Sequence, residues 1–202
     1  MTTFKTEWLV RGLVESFFVV GSILLALAVD EWAENRNFDE LADQSLGIFE
    51  QEILQNRNRI DDGLPYHQGI RDLLAQMLLT QPPTVDIRSI MEGLEAPVLL
   101  STAWETALAT GALTHMDFEV VRALSLTYSI QEGFTTGSRS DRPRFGSMEG
   151  LTGPEVAEQI QDAHDYVASL TGDEAELLTV FGQALELIGS YREPVPPAAG
   201  GS

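Results

Sequence analysis

GSILLALAVDEWAENRNFDELADQSL, residues 21–46, passes from a nearly unbroken apolar run into a dense series of acids, with no helix breaker at the join. Its reading decides whether the chain is anchored in a membrane or begins with a removable leader. Upstream, residues 13–29 read LVESFFVVGSILLALAV. At about 1.5 Å per residue they make roughly 26 Å of helix, slightly short of a hydrocarbon core of about 30 Å but within the accepted range for a span. Trp8 and Trp32 lie on either side of this run, about 36 Å apart along a helix, the spacing of two interfacial aromatic anchors. Lys5 and Arg11 precede the run, and Asp30, Glu31 and Glu34 follow it. This bias predicts a cytoplasmic N-terminus over residues 1–12, a transmembrane helix over 13–29, and the remainder on the outer side of the cytoplasmic (inner) membrane, in the periplasm.

The rival reading is a secretory signal, with a basic start, an apolar centre and Ala26-Leu27-Ala28 in the cleavage position. Against it, apolar positions continue at helical spacing through Trp32, Phe38, Leu41, Phe49, Ile53 and Ile60, with Ser45 and Asn56 in the same stripe. A mature N-terminus would not inherit its helical phase from a discarded leader. The expectation is one helix from about Glu7 to about Asn58 that leaves the membrane near Trp32.

Glu15, the apolar run from Gly21 to Ala28, and Trp32-Ala33-Glu34-Asn35-Arg36 head an acidic helix patterned in Leu and Ile. Further on stand Ser101-Thr102-Ala103-Trp104-Glu105, Gly111-Ala112-Leu113 and Tyr128. These stretches resemble a bacterial family of membrane-anchored proteins of unknown function. Its members carry an early Glu in a short N-terminal span, a W-x-E-N-R signature, and S-x-x-W-E-x-L-x-x-x-G-x-L before a helix with a Tyr. The resemblance covers about a third of the chain and stops near Gly133. It implies a topology and no chemistry.

Composition narrows the function classes. The 202 residues carry 31 acids against 12 bases, a formal charge of −19. A surface this acidic repels nucleic acid, so no nucleic-acid partner is expected. The absence of cysteine removes disulfides, zinc–thiolate sites, iron–sulfur clusters and thiol catalysis.

Beyond the first helix, Ile70, Leu73, Leu74, Met77 and Leu78 predict a second one over 64–79, stopped by Gln81-Pro82-Pro83. A short helix over 87–94 follows. Ser101 or Thr102 caps a helix that ends at Gly111, and Asp117 opens another that runs to Glu132. Residues 133–153, with five glycines, read as a loop. Pro154 opens a helix that Gly172-Asp173 separates from a last one, and 194–202 form a flexible tail. The expected fold is all-α, a single transmembrane helix continuing into an antiparallel helical bundle over 30–193.

Several residues invite a functional reading, each with a plainer one beside it. Glu15 is an ionisable group inside the apolar run, suited to meet a neighbouring subunit, or else it pairs with Arg11 one turn away. Gly12 with Ser16, and Ser22 with Ala26, place small residues one turn apart for close helix packing in a membrane, although such pairs are common by chance. Arg139, Arg142 and Arg144 form the one basic cluster and suit an acidic partner, or are simply solvated. His67, His115 and His164 show no metal spacing. Trp104 and Tyr128 read as core residues, and no phosphate loop or nucleophile motif appears. No cofactor, metal or catalytic residue is expected. The leading expectation is a non-enzymatic accessory or stabilising subunit of a larger membrane complex, such as a bioenergetic one, with other membrane subunits and the lipid bilayer as partners. The alternative is a periplasmic sensor or small-ligand-binding bundle, which would need a pocket lined by Trp104, Tyr128 and convergent polar groups.

Overall fold

Ten of the eleven buried positions of the last helix, from Val156 to Ile188, follow one another at intervals of four and three residues, Thr171 beside Leu170 being the exception. That rhythm averages 3.5 residues and is the signature of helices that wind about one another. It recurs at 46, 49, 53, 56 and 60 of the first helix, and at 120, 124, 127, 131 and 134 of the fourth. The structure is a computed structural model that describes the backbone of residues 3–82, 85–141 and 154–192, and the side chains of 17–82, 85–138 and 155–192. The described residues form α1 (Thr3–Thr80), α2 (Ile87–Met91), α3 (Thr102–Thr110), a 3-10 turn (Ala112–His115), α4 (Phe118–Asp141) and α5 (Pro154–Arg192), with no strand. The protein is all-α, as its sequence predicts.

The chain divides into two units, Met1–Gln44 and Ser45–Ser202. In the first, α1 exposes every described residue from Phe17 to Asn37. The stretch 21–46 is unbroken helix, and α1 continues past the expected end near Asn58 to Thr80. Among the described residues no helix is long and apolar enough to cross a membrane. The described side chains begin at Phe17 and reach Asp30 after thirteen positions, about 20 Å of apolar helix against a hydrocarbon core of about 30 Å.

In the second unit, hydrogen-bonded pairs give the course of the chain. His67 meets Glu174 and Glu50 meets Arg192, so α5 runs antiparallel to α1. Glu52 meets Tyr128 and Asn56 meets Gln131, so α4 runs parallel to α1. The expected all-antiparallel order is therefore corrected for this pair. The reason lies in the connection. Tyr66 bonds Glu92, Arg59 bonds Val98, Asn56 bonds Leu100 and Glu52 bonds Ala103. Residues 92–103 thus return along α1 as a largely non-helical strap, and α4 starts again from the level at which α1 entered the unit.

Three expected boundaries do not exist. The break expected between about Asn58 and Leu64 is absent, and α1 runs on through Pro65, although proline removes a helix hydrogen bond and normally kinks or ends a helix. Its ring is exposed, while the buried series passes from Ile60 to His67 to Leu74 in steps of seven. Gly172-Asp173 lies inside α5 because Val167, Leu170, Glu174 and Leu177 keep phase through it. Residues 133–141, expected as loop, are the end of α4, carried there by buried Phe134. A mid-helix glycine costs about 1 kcal/mol, and full burial of one Leu, Ile or Phe side chain returns about 1.5 to 3 kcal/mol. Packing therefore overrides the local signal. True ends carry their own geometry. Gly111 closes α3 at φ 74°, and Gln81, at φ 43°, ends α1 just before Pro82.

Candidate functional site

Glu52 organises the middle of the second unit. It lies at the edge of the α1 stripe, 7% exposed. Its Oε2 accepts the Ala103 N–H at 3.0 Å, and its Oε1 accepts the Tyr128 hydroxyl at 2.8 Å. The Ser101 hydroxyl, expected to cap α3, instead donates to Glu105 at 2.7 Å and makes no cap bond. The cap comes from α1: a carboxylate set against the positive end of α3. One turn further, Asn56 is fully buried. Its Nδ2 donates to the Leu100 carbonyl at 2.8 Å and to Gln131 Oε1 at 3.0 Å, while its Oδ1 accepts the Leu100 N–H at 2.9 Å. Gln131 Nε2 also donates to the Leu100 carbonyl at 2.8 Å. Two polar side chains thus replace a helix hydrogen-bond ladder for the strap, whose backbone groups need partners once buried.

This network positions three aromatic rings. Trp104 and Tyr128 stack with centroids 5.7 Å apart at 22°, and Phe49 lies beneath both at 6.4 and 5.8 Å. Burial pushes the Tyr128 phenol well above its ordinary range, and the bond to Glu52 and its charge add to the effect. Tyr128 is core, as expected. Trp104 is only half-buried, and its environment corrects the core reading. It forms a wall of a cleft of about 590 Å³ between α3 and α4, together with Tyr128, Gln131, Glu105, Glu132 and the hydroxyls of Ser101 and of α4. Trp104 and Tyr128 both line this cleft. On α4, residues 125, 129, 132 and 136 face this cleft at spacings of four, three and four, beside the buried series at 124, 127, 131 and 134.

The raised phenol gives a pH dependence. The unfolded Tyr128 loses its proton near pH 10, while the folded one holds it. Above that pH the unfolded state binds fewer protons, so stability is full below about pH 10 and falls as pH rises, by up to about 1.4 kcal/mol per unit. Tyr128→Phe is expected to flatten this alkaline loss in denaturant titrations at pH 9 to 11, while costing about 1 to 3 kcal/mol at neutral pH because Glu52 loses a donor.

A second polar pair lies elsewhere in the bundle. His67 Nδ1 sits 2.8 and 3.0 Å from the two oxygens of Glu174, with the side chains 3% and 0% exposed. Glu174 is its one hydrogen-bond partner among the described residues, so the pair locks α1 to α5 and no nucleophile extends it into a relay. At the far end of α5, the Tyr191 hydroxyl and the Glu119 N–H hold the Asp117 carboxyl below the usual range, and Tyr191 is raised by the same bond.

The anticipated membrane and loop residues are distributed differently. Ser22 and Ala26 are exposed on one face of α1, and the Ser22 hydroxyl donates to the Val19 carbonyl at 2.8 Å, so it carries no unmet polar group. Trp32 is exposed, with the Arg36 guanidinium 5.8 Å from its ring centroid and Arg36 also bonded to Glu40. The Trp and Arg of the W-x-E-N-R stretch are thus one cation–π pair at i and i+4. The backbone at Trp8, Gly12, Glu15 and Ser16 is helical, and their side chains lie outside the described residues. Arg139 is on the last turn of α4 rather than in a loop, its side chain also undescribed, and Arg142 and Arg144 lie outside the described residues. Among the described residues no group of three side chains could hold a metal ion. No known protein family matches the chain, and neither a curated protein nor a solved structure is significantly similar to it.

Proposed function

We propose that this protein is a non-catalytic accessory subunit of a larger membrane complex, held by residues 13–29 as a single span, with its helical bundle on the outer face. One observation carries the reading. Phe17, Phe18, Val19, Val20, Ile23, Leu24, Leu25, Leu27 and Val29 are each more than half exposed and occupy all sides of α1. A helix that is apolar all round belongs in a protein core or in lipid, since water leaves no face for such a surface. Adding residues 13–16, Glu15 and Ser16 among them, lengthens the stretch to about 26 Å, within the range of a tilted or locally thinned span. The Trp32–Arg36 pair fits the headgroup level. The subunit role rests on the small residues at Ser22 and Ala26, which permit close approach of another helix.

The test is alkaline carbonate extraction of membranes holding the full chain. The wild type is expected in the pellet. Leu24→Arg, with an insertion penalty of about 3 kcal/mol at mid-span, is expected to shift a large fraction to the supernatant. Quantitative wild-type release, or a mature N-terminus at Val29, overturns the anchor. Mild-detergent purification is expected to return stoichiometric partner subunits, and a lone chain overturns the subunit role. The cleft walled by Trp104 and Tyr128 favours a second reading, a bundle that binds a small ligand, compatible with the same anchor.

A further inference from the structure

We propose that the cleft between α3 and α4 binds a small organic cation, an amine or guanidinium compound, against the Trp104 ring and between the Glu105 and Glu132 carboxylates. The proposal rests on the second reading above and gives it a ligand class. The cleft's volume of about 590 Å³ falls in the range of small-molecule sites. The charged side chains that line it are all acidic, Glu105 from α3 and Glu132 from α4, with no Lys, Arg or His among them. An anionic ligand would meet only like charge.

The remaining lining suits nitrogen rather than metal. Ser125, Ser129 and Thr136 present hydroxyls that accept N–H bonds along one face of α4. The described residues hold no cluster of three metal-ligating side chains, which leaves a divalent ion short of ligands. Organic ammonium and guanidinium groups need fewer fixed ligands and gain from an aromatic face. That face is pre-set. Trp104 is stacked on Tyr128, and Tyr128 is pinned by its bond to the buried Glu52. Gln131, 4% exposed, closes the base of the cleft and is itself held by Asn56 and Leu100. The receptor therefore needs little reordering to receive a ligand, which lowers the cost of binding.

The protein's charge of −19 attracts any cation diffusely, so the test must separate site from surface. Full-length protein in neutral maltoside micelles is titrated with spermidine by calorimetry, and the Trp104 indole N–H resonance is followed by NMR. Saturable binding with a dissociation constant of about 10 μM to 1 mM is expected, with a shift of that resonance tracking saturation. Glu105→Gln with Glu132→Gln is expected to weaken binding about tenfold or more. Glu158→Gln with Asp162→Asn removes two exposed α5 carboxylates outside the cleft and is expected to change affinity less than twofold. No saturation up to about 10 mM, equal weakening by both double variants, or binding that leaves the Trp104 resonance unmoved each overturns the proposal. Membrane retention is read separately, so failure of the cleft leaves the anchor reading intact.

Discussion

His67→Leu is expected to lower the unfolding free energy of the bundle by about 3 to 5 kcal/mol, because it breaks a buried histidine–carboxylate pair from one side. Domains of this kind hold about 5 to 15 kcal/mol in total, so the loss is about a fifth or more of what is available. The cause is geometric. Glu174 is fully buried, and its two oxygens face the same ring nitrogen at 2.8 and 3.0 Å. With the ring gone, the carboxyl keeps its place in the α1–α5 seam and has no comparable partner. Glu174→Leu is expected to cost less, since a neutral imidazole is easier to desolvate than a carboxylate. The double variant His67→Leu with Glu174→Leu is expected to recover to within about 2 kcal/mol of wild type, as apolar replacements of buried pairs often do. Urea unfolding followed by circular dichroism measures all three. A double variant as unstable as His67→Leu would show that shape, rather than the unmet carboxyl, sets the cost.

The second large effect is expected at Asn56. Asn56→Asp keeps the shape and removes both hydrogens that the amide donates to the Leu100 carbonyl and to Gln131. Two acceptors then face a carboxylate at the centre of the bundle. The expected loss is about 3 kcal/mol or more at neutral pH. The new acid would hold its proton better folded than unfolded. Its penalty is therefore smallest below about pH 4, the unfolded value, and grows as pH rises. A stability profile from pH 3 to 8 that parallels wild type would refute this account. Because Asn56 ties down Leu100, three residues before the Ala103 N–H that Glu52 caps, the same variant is expected to loosen Trp104 and degrade the cleft.

Much of the fold is legible in the residues. Pro154, Asp117 and Gly111 mark helix ends where the structure has them, because capping and φ > 0 are local matters. The unbroken helix through residues 21–46 was equally local, since no residue from 22 to 46 breaks a helix. The false boundaries before Pro65 and at Gly133 and Gly172 show the limit of that logic. Each is a breaker by propensity, yet the seven-residue phase of the buried positions runs through all three regions, and that continuity was the available signal against a break.

Tertiary structure alone decided the rest. That Glu52 would cap a helix fifty residues away and that Asn56 and Gln131 would grip Leu100 follow from the parallel course of α1 and α4, which the strap at 92–103 imposes, and that Glu174 would be the partner of His67 follows from the antiparallel course of α1 and α5. A sequence with 31 acids gives no means of singling out Glu52 and Glu174, the two that are buried among the described residues. Periodicity reports which face of a helix is covered, because that depends on residues a few positions apart. Which partner covers it depends on chain connection and on the need of each buried polar group for a mate, and those are satisfied across distances that no local pattern encodes.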